Sequence, residues 1–287
     1  MRDKRPITVV IATLGGESLA STLVALNCGS FVPAEILICI PAEDAHKVEQ
    51  FRSETVKILK TDCRGQVAQR LVGFRHVSTE LVMQLDDDML VDGRCLELLE
   101  DSMQQLGSCV AIAPALVDQN TGTSIYVKPK RNPILLAIYY WLMNGSAGYE
   151  PGCTDKSGSA VGIDPSTPGP ALRDVEWLAG GCILHYKKNL VLENFWPRPG
   201  KAYCEDVLHS HLLRSKGIRL KIDTAARCSL ELFREPSLSL KEFVTNLYRD
   251  YGGRQYYMQR LSRRSPRIYL YYVARILNYL HSRFTSK

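Results

Sequence analysis

Through the first 118 residues, short apolar blocks alternate with segments of helical character. Ile7 to Ala12 is β-branched and almost wholly apolar, which predicts a strand buried on both faces. Gly15-Gly16 breaks the chain, and Glu17 to Leu26 reads as a helix. Ile36 to Ile40 predicts a second strand, Glu43 to Arg52 a helix, and Val56 to Leu59 a third strand. Gly65 to Val77 is helical, with Val67, Leu71 and Phe74 on one face. Leu81 to Leu85 predicts a fourth strand, Arg94 to Leu106 a helix, and Val110 to Leu116 a fifth strand. Repeated β-α units imply an α/β fold: a mostly parallel sheet with right-handed crossovers, flanked by helices.

Beyond residue 118 the pattern loosens. Ile134 to Met143 is a charge-free apolar run, shorter than the roughly 20 residues of a membrane span but long enough to lie on a bilayer or under a lid. Residues 144–172 are rich in Gly, Ser, Pro and Thr and predict a long loop, mobile or disordered. Trp177-Leu178-Ala179-Gly180-Gly181 then leads into another strand. Lys201-Ala202-Tyr203-Cys204-Glu205-Asp206 opens a helix that runs to about Ser215 and ends at Gly217. Two further helices, about 238–260 and 267–283, form a tail. The expected organisation is one domain over 1–236 and a basic amphipathic helical tail over 237–287, with no internal repeat.

Composition sharpens two points. Hydrophobic residues make up 45% of the 287, enough for a substantial core. The net charge of +6 is concentrated in the tail, where residues 241–287 hold ten Lys or Arg against two Asp or Glu, and eight of the fourteen tyrosines. Ile268, Tyr271, Tyr272, Arg275, Ile276 and Tyr279 mix apolar and basic positions around the last helix. This favours an anionic membrane surface over nucleic acid; the alternatives are packing on the chain's own domain or a homodimer interface. The nine cysteines form no C-x-x-C pair, so zinc is not expected, and free thiols in a reducing cytosol fit best. The N-terminus lacks the apolar region of a signal peptide. The expected setting is therefore cytoplasmic, peripheral on the inner face of a membrane.

The candidate chemistry begins where the fourth strand ends, at Asp86, Asp87 and Asp88. Adjacent carboxylates repel one another and seek water or a cation, and their hard oxygens suit Mg²⁺ or Mn²⁺. The bland reading is a solvated acidic turn. Position argues against it, because ligands in such sheets bind beyond the carboxyl ends of the strands. Ala12-Thr13-Leu14-Gly15-Gly16 stands at the same edge. On the third helix Gln66, Arg70 and Gly73 share a stripe away from the Val67–Leu71–Phe74 face, either binding residues or plain surface. Gly180 and Gly181 either admit close backbone approach to a ligand or form a bulge. Trp177 either stacks on a ligand or lies in the core. Glu205 and Asp206 fall in the first turn of their helix, where acids also serve as caps. His209 and His211 do not share a helical face and are weak ligand candidates.

Taken in order, Val9-Val10-Ile11-Ala12-Thr13, Gln69-Arg70, Leu85-Asp86-Asp87-Asp88, Trp177-Leu178-Ala179-Gly180-Gly181 and Glu205-Asp206 resemble the family 2 glycosyltransferases of the GT-A fold, over residues 6 to about 225. The aspartate triplet looks like that family's D-x-D motif, and Glu205-Asp206 like its E-D motif. The resemblance implies inverting transfer of a sugar from a nucleotide-diphosphate donor to a glycan or lipid-linked acceptor. It further implies Mg²⁺ or Mn²⁺ held by Asp88, with Asp86 on the metal or the donor ribose and Asp87 supporting the turn. Ala12, Thr13, Gln66, Arg70, Gly180, Gly181 and Trp177 would face donor or acceptor. Asp206 would be the base, with Glu205 orienting the acceptor or exchanging roles with it.

Two departures stand out. Cys39-Ile40-Pro41-Ala42-Glu43-Asp44 replaces the family's Asp-Asp-Gly-Ser segment, so UDP is only the default donor nucleotide. The Q-x-x-R-W motif of processive members is missing, which favours single additions. A nucleotidyltransferase would carry a basic Gly-rich loop after the first strand, but Thr13-Leu14-Gly15-Gly16-Glu17 has no Lys or Arg. An inactive scaffold that binds nucleotide or membrane is the third reading.

Overall fold

The structure is a computed structural model that describes residues 4–126, 132–197, 202–232 and 238–285. The expected domain boundary at 236/237 and Lys201 lie outside the described residues.

Four of the expected strands form the parallel half of one sheet. They are β1 (Ile7–Ala12), β2 (Glu35–Pro41), β3 (Val56–Thr61) and β4 (Leu81–Asp86), ordered β3-β2-β1-β4. All of β1 and nearly all of β2 and β4 are buried, which is why their sequences read as unbroken apolar runs. Register sets Ala12 level with both Cys39 and Asp86, so three carboxyl ends finish along one line.

The fifth expected strand, β6 (Val110–Asp118), is not beside β4. Between them lies β8 (Cys182–Tyr186), antiparallel to both. Beyond β6 comes the parallel β9 (Arg219–Leu230), with β5 (Leu90–Val91) and β7 (Leu172–Val175) antiparallel to it. Because β8 runs against β4, its N-terminal approach, Gly180-Gly181, meets the C-terminal end of β4. The Asp86 N–H donates to the Gly181 carbonyl at 2.8 Å. This reversal carries the second half of the chain to the aspartates.

The helices α1 (Ser18–Asn27) and α3 (Cys95–Leu106) cover one face of the sheet, and α2 (Gln66–His76) covers the other. Gly73 brings α2 against the sheet. A Cβ there would stand 2.4 Å from Val10 Cγ1 and 2.6 Å from Cys39 Sγ. The helix expected over Glu43 to Arg52 is instead two short 3₁₀ helices, Ala42–Lys47 and Glu49–Phe51. Asp44 accounts for the tighter winding: its carboxylate accepts from Lys47, three residues on, at 2.6 Å and from Arg64 at 2.5 Å.

The remaining helices are α4 (Pro133–Asn144), α5 (Glu205–Ser215), α6 (Leu240–Arg260) and α7 (Arg267–Thr285). Tyr257 and Met258 of α6 join the core cluster that holds Trp177 and Leu208, so α6 packs on the sheet domain. Of the α7 residues expected to meet a membrane, Ile268, Tyr272 and Tyr279 turn inward. Tyr279 stacks on Phe243 at 3.9 Å, and Asp250 accepts from Tyr272 at 2.6 Å and Arg275 at 2.8 Å. Burial of aromatic area and satisfaction of a buried carboxylate decide that face.

Residues 144–172 have little regular structure but a defined set of contacts. Asp155 accepts from the Ser157 and Ser159 N–H groups, and Gly158 accepts from Arg254 and Tyr257 of α6. Among the described residues, no helix is long and apolar enough to cross a membrane. All nine cysteines are free thiols; Cys39, Cys95, Cys182 and Cys228 are buried.

Candidate active site

At the centre lies Arg70, 3% exposed, where the helical stripe alone left open a plain surface position. Its guanidinium forks between two carboxylates: Nη2 pairs with Asp86 Oδ1, and Nη1 with Glu205 Oε1 at 2.8 Å. Arg70 and Glu205 are 135 positions apart in sequence. Gln66, one turn earlier on α2, donates to Asp86 Oδ1 at 2.6 Å. Burial opposes charge on Arg70, but Asp86 and Glu205 outweigh it and hold its pKa above the usual arginine value.

The three aspartates have separate surroundings. Asp86 is held by α2. Asp87 accepts from the Thr13 hydroxyl, and its backbone carbonyl accepts from Thr22 at 2.9 Å. Burial pushes the Asp87 carboxyl up, against that Thr13 bond. Asp88 is exposed in the turn that follows. Thr13 is buried and also accepts from the Gly15 N–H at 2.9 Å, so its hydroxyl serves the loop, while Ala12 is enclosed in β1.

Gly180 and Gly181 leave room for the acids. A Cβ on Gly180 would lie 3.0 Å from Glu205 Oε1 and 3.4 Å from Asp206 Cβ; one on Gly181 would lie 3.3 Å from Asp86 Oδ2. Close approach of side chains, rather than a bulge, is what these glycines permit. The α5 helix starts abruptly at Cys204, whose left-handed φ of 63° is unusual outside glycine. That turn delivers Glu205 inward to Arg70 and leaves Asp206 half-buried beside it.

Among the described residues Asp206 has no cationic hydrogen-bond partner; its Oδ1 accepts from the Val207 N–H at 2.9 Å. Burial first, then the neighbouring Glu205 charge, lifts its pKa to about 7. The helix dipole acts in the other direction but amounts to only about 0.3–1 kcal/mol, less than one pKa unit. Glu205 is also raised, by burial and Asp86 against the pull of Arg70.

Of its two readings, the structure places Trp177 in the core. Its ring is buried edge-on to Tyr126 at 6.1 Å, and its N–H donates to the Val161 carbonyl at 3.0 Å. Core packing has claimed its donor. His209 is also buried, stacked on Phe195, and burial holds it neutral.

Several supporting residues were given no role from sequence, Gln69 among them although it stands in the Gln69-Arg70 motif. Gln69 donates to the Thr13 and Cys39 carbonyls, tying the ends of β1 and β2 together. Gln84 donates to the Gly180 carbonyl from inside β4; a lone amide in an apolar strand was the available signal. Tyr126 is lifted by burial and by the Asp206 charge, a long-range influence with no sequence signal. Lys47 packs over Gly15, but its ammonium pairs with Asp44.

For a divalent cation, the described residues contain no group of three or more His, Cys, Asp or Glu poised to hold one. The donor set is nevertheless suitable. Mg²⁺ is typically held by one or two carboxylates together with substrate phosphates and water. An exposed Asp88, at the end of a strand with Asp86 behind it, fits that pattern.

No protein-family model and no curated protein sequence matches the chain. Solved structures do match. GalNAc-T7, solved with UDP, GalNAc and Mn²⁺, superposes with a TM-score of 0.59 at 16% identity, covering 81% of this chain and 44% of that one. S. aureus TarS superposes at 0.50 and 14% identity, covering 79% and 37%. TarS 1-349 in complex with UDP-GlcNAc superposes at 0.50 and 13%, covering 86% and 66%. The chain therefore spans less than half the length of the first two. The likeness establishes the fold expected from sequence, GT-A.

Proposed function

We propose that the chain is an inverting, metal-dependent glycosyltransferase. It takes a sugar from a nucleotide-diphosphate donor, UDP-linked by default, to a hydroxyl of a glycan or lipid-linked acceptor. The product belongs to a cell-surface polysaccharide, lipopolysaccharide or glycolipid, made on the cytosolic side where nine free thiols are at home. The observation that carries this reading is the Arg70 bridge, which draws the Asp86 and Glu205-Asp206 motifs to one sheet edge. The solved neighbours holding UDP, GalNAc and Mn²⁺, or UDP-GlcNAc, support the choice of donor and metal.

The chemistry asks for two things. The bond between the anomeric carbon and the phosphate oxygen breaks with its electron pair going to the diphosphate, and the acceptor hydroxyl must lose a proton as it attacks the opposite face. Asp206 suits the second task, because a base works best with a pKa near the operating pH and its own lies at about 7. Glu205, bonded to Arg70, orients rather than abstracts. Asp88 would hold Mg²⁺ or Mn²⁺, which when bound would supply positive charge against the diphosphate. Asp86, already paired with Arg70 and Gln66, positions the turn and faces the donor.

Thermal melting against a panel of nucleotide sugars, with and without Mn²⁺, tests this. One donor plus Mn²⁺ should raise the melting temperature through binding to the folded state. Asp88→Ala should remove the metal-dependent part while its ligand-free melt stays close to wild type. If no nucleotide sugar shifts the melt and none is hydrolysed with Mn²⁺, the reading falls.

A further inference from the structure

The apolar run at 134–143 folds as α4 with one side open to water. Ile134, Leu135, Ile138 and Trp141 are between 50% and 68% exposed, and no charged residue occurs from Pro133 to Asn144. A helix face of this kind is normally covered. α4 lies against α7, and Arg267 joins them by donating to the Trp141 carbonyl at 2.8 Å, with its guanidinium 5.9 Å from the Trp141 ring. The outer side of α7 shows Leu270, Val273, Leu277 and Leu280, while Ile268, Tyr272 and Tyr279 face the domain. Two apolar stripes on contacting helices thus remain outside the core.

Within residues 241–287 the exposed charge is mostly basic. Of the two acids in residues 241–287, Asp250 is buried against Arg254 and Arg275, and Glu242 closes the capping box of α6 with Ser239. The exposed Arg260, Arg263 and Arg264 lead from α6 into α7. A second copy docked on this face would bring like charges together, whereas anionic headgroups complement them. Trp141 and Tyr269 add the amphipathic rings suited to a lipid–water boundary.

We propose that the paired outer faces of α4 and α7 form a docking surface for an anionic lipid bilayer, with both helices lying in the headgroup region. It differs from the tail face expected from sequence, and it stands independently of sugar transfer. Trp141 makes the test direct: of the three tryptophans, Trp177 and Trp196 are buried at 7% and 5% exposure. With phosphatidylcholine vesicles carrying about a third phosphatidylglycerol, wild-type protein should co-sediment, and its emission should shift to the blue. Both effects should weaken with added salt and be lost on phosphatidylcholine alone. Ile138→Glu with Leu277→Glu should lower vesicle binding at least about tenfold with the melting temperature preserved. Trp141→Phe should abolish the emission shift and retain most of the co-sedimentation. The proposal is overturned if the double variant binds as the wild type does. It is equally overturned if the wild type ignores phosphatidylglycerol, or if it proves to be a dimer that the double variant separates and that binds no vesicle.

Discussion

Arg70 does three jobs with one side chain. It neutralises Asp86, neutralises Glu205, and fixes the distance between a strand end and a helix start. Removing one partner of a buried ion pair leaves charge without compensation. Arg70→Ala should therefore cost about 3–5 kcal/mol of unfolding free energy by urea denaturation. Combining it with Glu205→Gln should give less than the sum of the single losses, and strict additivity would show that the bridge is not formed. Asp206 carries the opposite lesson, that a functional group can be held at a cost to stability. Its folded pKa, about 7, lies above the ordinary 3.8, so the folded chain binds the extra proton between those values. Stability from this group is complete at low pH and is lost as pH rises from about 4 to about 7. Asp206→Asn should accordingly gain stability relative to wild type across that window, read as a melting-temperature difference that widens with pH. The Asp206 carboxylate was legible from sequence as a candidate base. The E-D motif set Asp206 as base and Glu205 as orienter but left their exchange open, because sequence does not show which of two adjacent side chains Arg70 reaches.

Elements were legible in proportion to how local their causes are. The strands β1, β2 and β4 announce themselves as unbroken apolar runs, because both faces are buried. Strand direction leaves no such mark, so the antiparallel insertion of β8 between β4 and β6 could not be read. That insertion is what carries Gly180 and Gly181 to Asp86. The winding of 42–51 was misread because it turns on Asp44 meeting Arg64, twenty positions away. Helix α2 hangs on Gly73, whose missing side chain lets Val10 and Cys39 touch the helix. Gly73→Ala should cost about 1–3 kcal/mol in chemical denaturation by overpacking, and should loosen Gln66 and Arg70 on the same helix. A neutral substitution would mean that α2 does not bear on the site as closely as described.

The whole molecule joins two halves at β4 and β8, and two buried histidines lie at that seam. His185 of β8 and His209 of α5 are 5.5 Å apart, and neither ring nitrogen of His185 has a hydrogen-bond partner among the described residues. Burial, with Arg70 adding to it, lowers His185 to about 3. The unfolded chain takes up that proton near the ordinary histidine value, 6.5, so stability falls as pH drops from about 6.5 toward 3. His185→Leu should flatten the fall in urea-unfolding free energy between pH 7 and pH 5. An unchanged slope would place the acid sensitivity elsewhere. The tail, read from sequence as an appendage, contributes Tyr257 and Met258 to the core, because the inner face of a long helix is apolar whatever its net charge.

The most direct test of the account is sugar transfer by Asp206→Asn, measured as nucleoside diphosphate released in the presence of donor, acceptor and Mn²⁺. The substitution keeps shape and removes only the base. Turnover should fall by about 10²–10⁴, with donor binding by thermal shift retained. Turnover equal to that of the wild type would contradict the assignment of Asp206 and, with it, the mechanism.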